Sequence, residues 1–129
     1  MYLDEKIQPT LVTLEPWRQH LLKAADEIET YGHCKNQIRN EYGQMCFFGA
    51  LTHVGFMKKE VWEKVVDETH KYLQLALTEQ YVDKHTDKAG QIVRWNNAPE
   101  RTGQEVIDTM RAVATMLPLT TEINHVPRN

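Results

Sequence analysis

Two adjacent apolar lines run along residues 58–81 at helical spacing. Val61, Val65, Tyr72 and Ala76 mark one, and Trp62, Val66, Thr69, Leu73 and Leu77 mark the other. A helix with so broad an apolar face is not stable alone in water; it needs other helices to cover it. The spacing therefore predicts a long helix from Lys58 to Tyr81 and places the chain among helical bundles.

Partners for that helix are legible on both sides. Trp17, Leu21, Ala24, Ala25 and Ile28 form one stripe from about Pro16 to Tyr31. Proline suits a first helical turn, Glu15 suits the positive end of the helix dipole, and Gly32 is a natural stop. The run Cys46-Phe47-Phe48-Gly49-Ala50-Leu51, continuing to Val54 and Gly55, fits a helix better than a strand because its glycine and alanine allow close packing. Near the C-terminus, Thr102-Gly103-Gln104-Glu105 has the form of a capping box. Val106, Ile107, Met110, Val113, Ala114 and Leu117 follow at helical intervals, with Pro118 as the stop.

Between these helices the pattern changes. Residues 33–45 read as a polar loop, or as a short hairpin turning at Tyr42-Gly43. Asp83 to Gln91 reads as an exposed connection, and Ile92-Val93-Arg94-Trp95 as a short strand followed by a turn from Asn96 to Arg101. The expected fold is a mainly α, compact domain of about four helices with a short hairpin or extended pairing between residues 35–45 and 92–96. Residues 1–129 are expected to form one domain. Within it, 1–15 are expected to be an extended arm with Pro9 blocking helix, and 119–129 a C-terminal tail.

Composition narrows the function classes. With 41% hydrophobic and 26% charged residues the chain is ordinary globular material, not a disordered one. A formal net charge of -3, with basic and acidic residues interleaved as in Lys58-Lys59-Glu60 and Glu63-Lys64, lacks the one-sign patch that nucleic-acid binding needs. No apolar run reaches the length of a membrane span, and the Met1–Lys6 segment carries Asp4 and Glu5 rather than a signal core. The expected location is the cytoplasm, where Cys34 and Cys46 stay reduced.

Two constellations could carry chemistry. In Trp95-Asn96-Asn97-Ala98-Pro99-Glu100-Arg101-Thr102, asparagine, proline and a cap are what a connector requires, with the tryptophan in the core. The functional alternative has Trp95, Asn96, Asn97 and Arg101 binding a ligand near a helix N-terminus, where free amides favour anions. Cys46 is the candidate nucleophile. A helix start favours thiolate, whereas Met45, Phe47 and Phe48 suggest an apolar pocket that leaves the thiol inert. His53 is seven residues along, roughly 10 Å of helical rise, too far for direct pairing. A partner would have to be His33, His70, His85 or His125. The order Cys46, histidine, then Asn96 or Asn97 mimics papain-like hydrolases, but order alone does not identify a triad. His33, Cys34, Cys46 and His53 match no paired-ligand zinc spacing, no helix carries an HExxH-like pair, and no metal or other cofactor is expected.

The Cys46–Leu51 segment, preceded by a helix ending at Gly32-His33-Cys34 and followed by Trp95 to Thr102 and Glu105-Val106, resembles a family of small bacterial and bacteriophage proteins classed as a domain of unknown function. The resemblance spans roughly Trp17 to Ala114. It implies the layout and a phage or mobile-element origin, and supplies no activity. Asn97 stands where that family usually has aspartate, so a carboxylate is missing and a catalytic or metal role at that position is disfavoured. The expected function is a non-catalytic binding or interaction protein acting on a protein partner or by self-association. The alternative is a small enzyme or small-molecule binder using Cys46 and the Asn96–Arg101 loop.

Overall fold

A computed structural model describes residues 14–81 and 86–116. Most of the expected arm (1–13), Pro118 and the tail 119–129 lie outside the described residues, as do His85 and His125. Five α-helices are described: α1 (Pro16–Tyr31), α2 (Phe47–Val54), α3 (Lys59–Tyr72), α4 (Lys88–Asn97) and α5 (Gly103–Thr115). Helix α1 is central, packing most extensively on α5, then on α2 and α3, while α4 lies against α3. None of the described helices is long and apolar enough to cross a membrane.

Helix α1 has the bounds its sequence predicts, because the signals at both ends are local. Pro16 sits in its first turn, Glu15 accepts from Arg18 and Gln19 through its carbonyl, and Gly32 at φ +101° ends it with an N–H bond to Ile28 O. Leu21, Ala24, Ala25 and Ile28 are buried with Val106, Met110, Val113 and Ala114 of α5 in one core. The small side chains of Ala24 and Ala25 let helices approach closely. Arg18 closes the far end of this pair, its guanidinium donating to Ala114 O and Met116 O, two carbonyls a helix C-terminus leaves unpaired. The capping box at the other end of α5 is present in full, with Glu105 N to Thr102 Oγ1 at 3.1 Å and Thr102 N to Glu105 Oε1 at 2.9 Å.

Four expectations are corrected. The helix predicted over Lys58–Tyr81 stops at Tyr72: Gln74 takes a left-handed conformation at φ +53°, and two 3-10 turns follow, Leu75–Leu77 and Glu79–Tyr81. That kink carries Leu75 into the core and leaves Leu77 81% exposed, so the apolar line was not one face. The expected strand at Ile92–Trp95 is the middle of α4. Asp87 caps it by accepting from Gly90 N at 2.8 Å, within the segment read as a connection, and Ile92 and Trp95 are buried three residues apart. The helix count is therefore five among the described residues. A helix cannot pair with a loop edge, so the extended pairing of 35–45 with 92–96 does not form. Residues 33–45 make isolated bridges only, His33 parallel and Arg39 antiparallel to Met45.

Candidate functional site

The last turn of α4 carries three of the four residues singled out for binding, and each faces a different way. Trp95 is 5% exposed and belongs to the core. Asn96, one residue on, is 1% exposed and points at the junction of the 33–45 loop with α2. Its Oδ1 accepts from Phe47 N at 3.1 Å and pairs with His33 Nε2 at 2.8 Å, while its Nδ2 donates to Cys34 O at 3.3 Å and Asn97 Oδ1 at 3.0 Å. A side-chain amide has two acceptor sites and two donors, and all four are used. Because the oxygen cannot donate, the proton at this contact belongs to His33 Nε2. Phe47 N–H is the first orphan donor of α2, so one helix is capped by the end of another.

Asn97 continues the clamp outward. Its Oδ1 accepts from Asn36 N at 2.8 Å, where Asn36 adopts φ +65°. Lys35 Nζ reaches back to Ala98 O at 2.7 Å and Pro99 O at 3.1 Å, placing a cation on the negative end of α4. At the far end of the loop Asn40 Oδ1 accepts from Tyr42 N and Gln44 N, both at 3.0 Å, and Asn40 N donates to Gln44 O. The floor is Gly49 on α2, where an added Cβ would lie 2.0 Å from Ile38 O. A loop without secondary structure of its own is thus fixed along its length, and it holds Tyr42 77% and Ile38 62% exposed.

Burial pushes the His33 imidazole below its ordinary range; the bond to Asn96 opposes this and the Lys35 charge adds to it. Cys34 is pushed above the usual thiol range, first by burial and then by the neighbouring Cys46.

Arg101 is committed elsewhere. Its Nε donates to Trp95 O at 3.0 Å and its Nη2 to Tyr81 Oη at 2.9 Å, and the guanidinium carbon lies 4.6 Å from the centre of the Trp95 ring. It ties α4, the second 3-10 turn and the start of α5 together, and does not join Asn96 and Asn97 in one polar cluster. Beside Asn97 is an open cleft of about 500 Å³, lined by Tyr81, Arg94, Asn97, Ala98, Pro99 and Glu100.

Cys46 is buried as the N-cap of α2, its sulfur accepting from Gly49 N at 3.3 Å. The described histidines are bonded elsewhere: His20 to Leu51 O, His33 to Asn96, His53 to Glu27 and His70 to Gln91. Among the described residues no group of three or more His, Cys, Asp or Glu could hold a metal ion. Sequence places Tyr42 at a turn but assigns no functional role to it, nor to Lys35, Ile38 or Asn40. Asn40 ahead of Tyr42-Gly43 was the available signal, since asparagine closes turns by accepting from amides two residues on.

Residues 12–116 match the model of a family of unknown function, DUF6197, and the chain belongs to that family. Neither the curated proteins nor the solved structures contain a match.

Proposed function

We propose that this member of a family without an assigned activity is a non-catalytic interaction protein of the cytoplasm, and that its recognition surface is the loop from Lys35 to Gly43. The observation that carries the reading is the exposure of Tyr42 and Ile38 on a backbone fixed by Asn40, Asn96 and Asn97. Scattered exposed apolar residues are normal on any protein surface. These two differ in standing on a pre-organised segment, where little ordering entropy remains to be lost on association. Tyrosine is also among the side chains that dominate binding energy at interfaces. The residues picked out by sequence, Asn96 and Asn97, become positioning residues for that surface, and Trp95 and Arg101 fix the helix end that bears them.

The expected occupant is a protein with an apolar recess for Tyr42. The test captures proteins from a host lysate on the wild-type chain and on the Ile38→Ser/Tyr42→Ser double variant. A partner held by the wild type and lost by a variant with an unchanged melting curve supports the reading. Equal capture by both chains overturns it. Sedimentation of the two chains separates a second copy from a foreign partner, because only self-association shifts the mass of the isolated wild type.

The second reading, a small-molecule site near Asn96–Arg101, is favoured by the cleft beside Asn97. Against it stands the internal use of the polar groups of Asn96 and Arg101. The thiol version lacks a histidine base among the described residues, since His20, His33, His53 and His70 are bonded to other groups.

A further inference from the structure

The loop and the start of α2 meet along a one-residue parallel ladder. Met45 N donates to Gly32 O at 2.9 Å and Cys34 N donates to Met45 O at 3.1 Å, the pattern that makes His33 and Met45 register partners. The next pair in that register is Cys34 and Cys46. Neighbouring chains in a ladder are roughly 4.8 Å apart, inside the Cα separation of roughly 4.4–6.8 Å that a disulfide accepts. Side chains alternate along extended chain, so both cysteines leave on the face opposite His33 and Met45. Both thiols are free, at 7% and 9% exposure.

We propose that Cys34 and Cys46 form a dithiol pair that closes to an intramolecular disulfide on reaction with a low-molecular-weight disulfide such as oxidised glutathione. The inference goes beyond the interaction reading and does not depend on it. It draws on the register, on the burial of both thiols together, and on the different bonding of the two sulfurs. Cys34 Sγ donates to Gln44 O at 3.3 Å and Gln37 O at 3.4 Å, contacts that hold it as the thiol. Cys46 Sγ instead accepts the Gly49 backbone N–H at 3.3 Å, so that bond does not engage its proton.

Cys46 is accordingly the attacking group and Cys34 the resolving one. Cys46 loses its proton to solvent and its sulfur attacks one sulfur of the oxidant. A protein–glutathione disulfide forms and one glutathione thiolate leaves. Cys34 then gives up its proton, its sulfur attacks Cys46 Sγ, the Cys34–Cys46 bond forms and the second glutathione thiolate departs. The protein dithiol is oxidised by two electrons, the small disulfide is reduced to two thiols, and no other reactant is needed. The product ties the base of the 35–43 loop covalently to the N-cap of α2.

The test incubates the reduced, folded full chain with oxidised glutathione and reads intact mass and free-thiol count without denaturant. The expected product is a monomer lighter by two hydrogens with no free thiol. In Cys34→Ser the reaction stops at a glutathione adduct on Cys46. Cys46→Ser loses its remaining thiol at least about ten-fold more slowly than Cys34→Ser. Serine keeps the hydrogen-bonding geometry at either position, so both variants retain the fold, checked by far-UV circular dichroism. A wild-type chain carrying two glutathiones, a disulfide-linked dimer, or no oxidation until denaturant is added overturns the pair. Faster reaction of Cys46→Ser than of Cys34→Ser overturns the assigned roles.

Discussion

The α1–α5 interface and the junction between the 33–45 loop and α4 are held by opposite means. The first is an area of apolar contact: Leu21, Ala24, Ala25, Val106, Met110 and Val113 are all fully buried, and charged groups such as Arg111 with Asp26 and Glu29 stand at its edge. The second is a set of directed bonds radiating from Asn96 and Asn97 to His33, Cys34, Asn36 and Phe47. Apolar area is non-directional and tolerates small shifts. A saturated amide specifies one loop geometry, and a group left unpaired in a dry site is costly. The bundle therefore supplies stability, and the junction supplies the shape of the surface.

The largest test of that contrast is Leu21→Ala, expected to lower unfolding free energy by about 3–4 kcal/mol. Chemical denaturation measures the loss, and the loop's NMR shifts should stay close to wild type. Asn96→Leu should remove about 3 kcal/mol, because Phe47 N–H and Cys34 C=O lose their partner. Unlike the core variant it should move the resonances of residues 33–47. Gly49→Ala sharpens the comparison further: the new Cβ strikes Ile38 O, and lifting the loop is expected to cost about 2 kcal/mol. Its signature is displacement confined to the loop with the α1–α5 contacts intact.

The smallest effect is the pH dependence contributed by His33. Its folded pKa lies below the free value of 6.5, so the unfolded chain takes up the proton first as pH falls. The stability from the neutral imidazole is fully present above about 6.5 and is lost as pH falls from there through the folded pKa. Thermal melts between pH 7.5 and 5 should show this slope, and His33→Gln should flatten it.

How much of this was legible in the sequence follows the same division. The bounds of α1 and the capping box of α5 were readable because Pro16, Gly32, Thr102 and Glu105 act within a turn of themselves. Helix α4 was not: Ile92-Val93 favours strand locally, and its buried positions Ile92 and Trp95 become a helical stripe only when packed on α3. The break after Tyr72 was hidden because Leu75, Ala76 and Leu77 continue the apolar count, although the chain turns at Gln74. Asn96 and Asn97 were singled out, but their role was invisible because every partner beyond their own pair lies 49 to 63 residues away.

The central claim is that asparagines at the end of α4 hold the 33–45 loop in one conformation. Native-state hydrogen exchange of Asn97→Ala against the wild type tests it most directly. The amides of Cys34, Asn36, Met45 and Cys46 should exchange faster while those of Leu21 and Ile28 in α1 keep their protection. Unchanged protection at Asn36 and Cys46, or equal acceleration in α1, would contradict it.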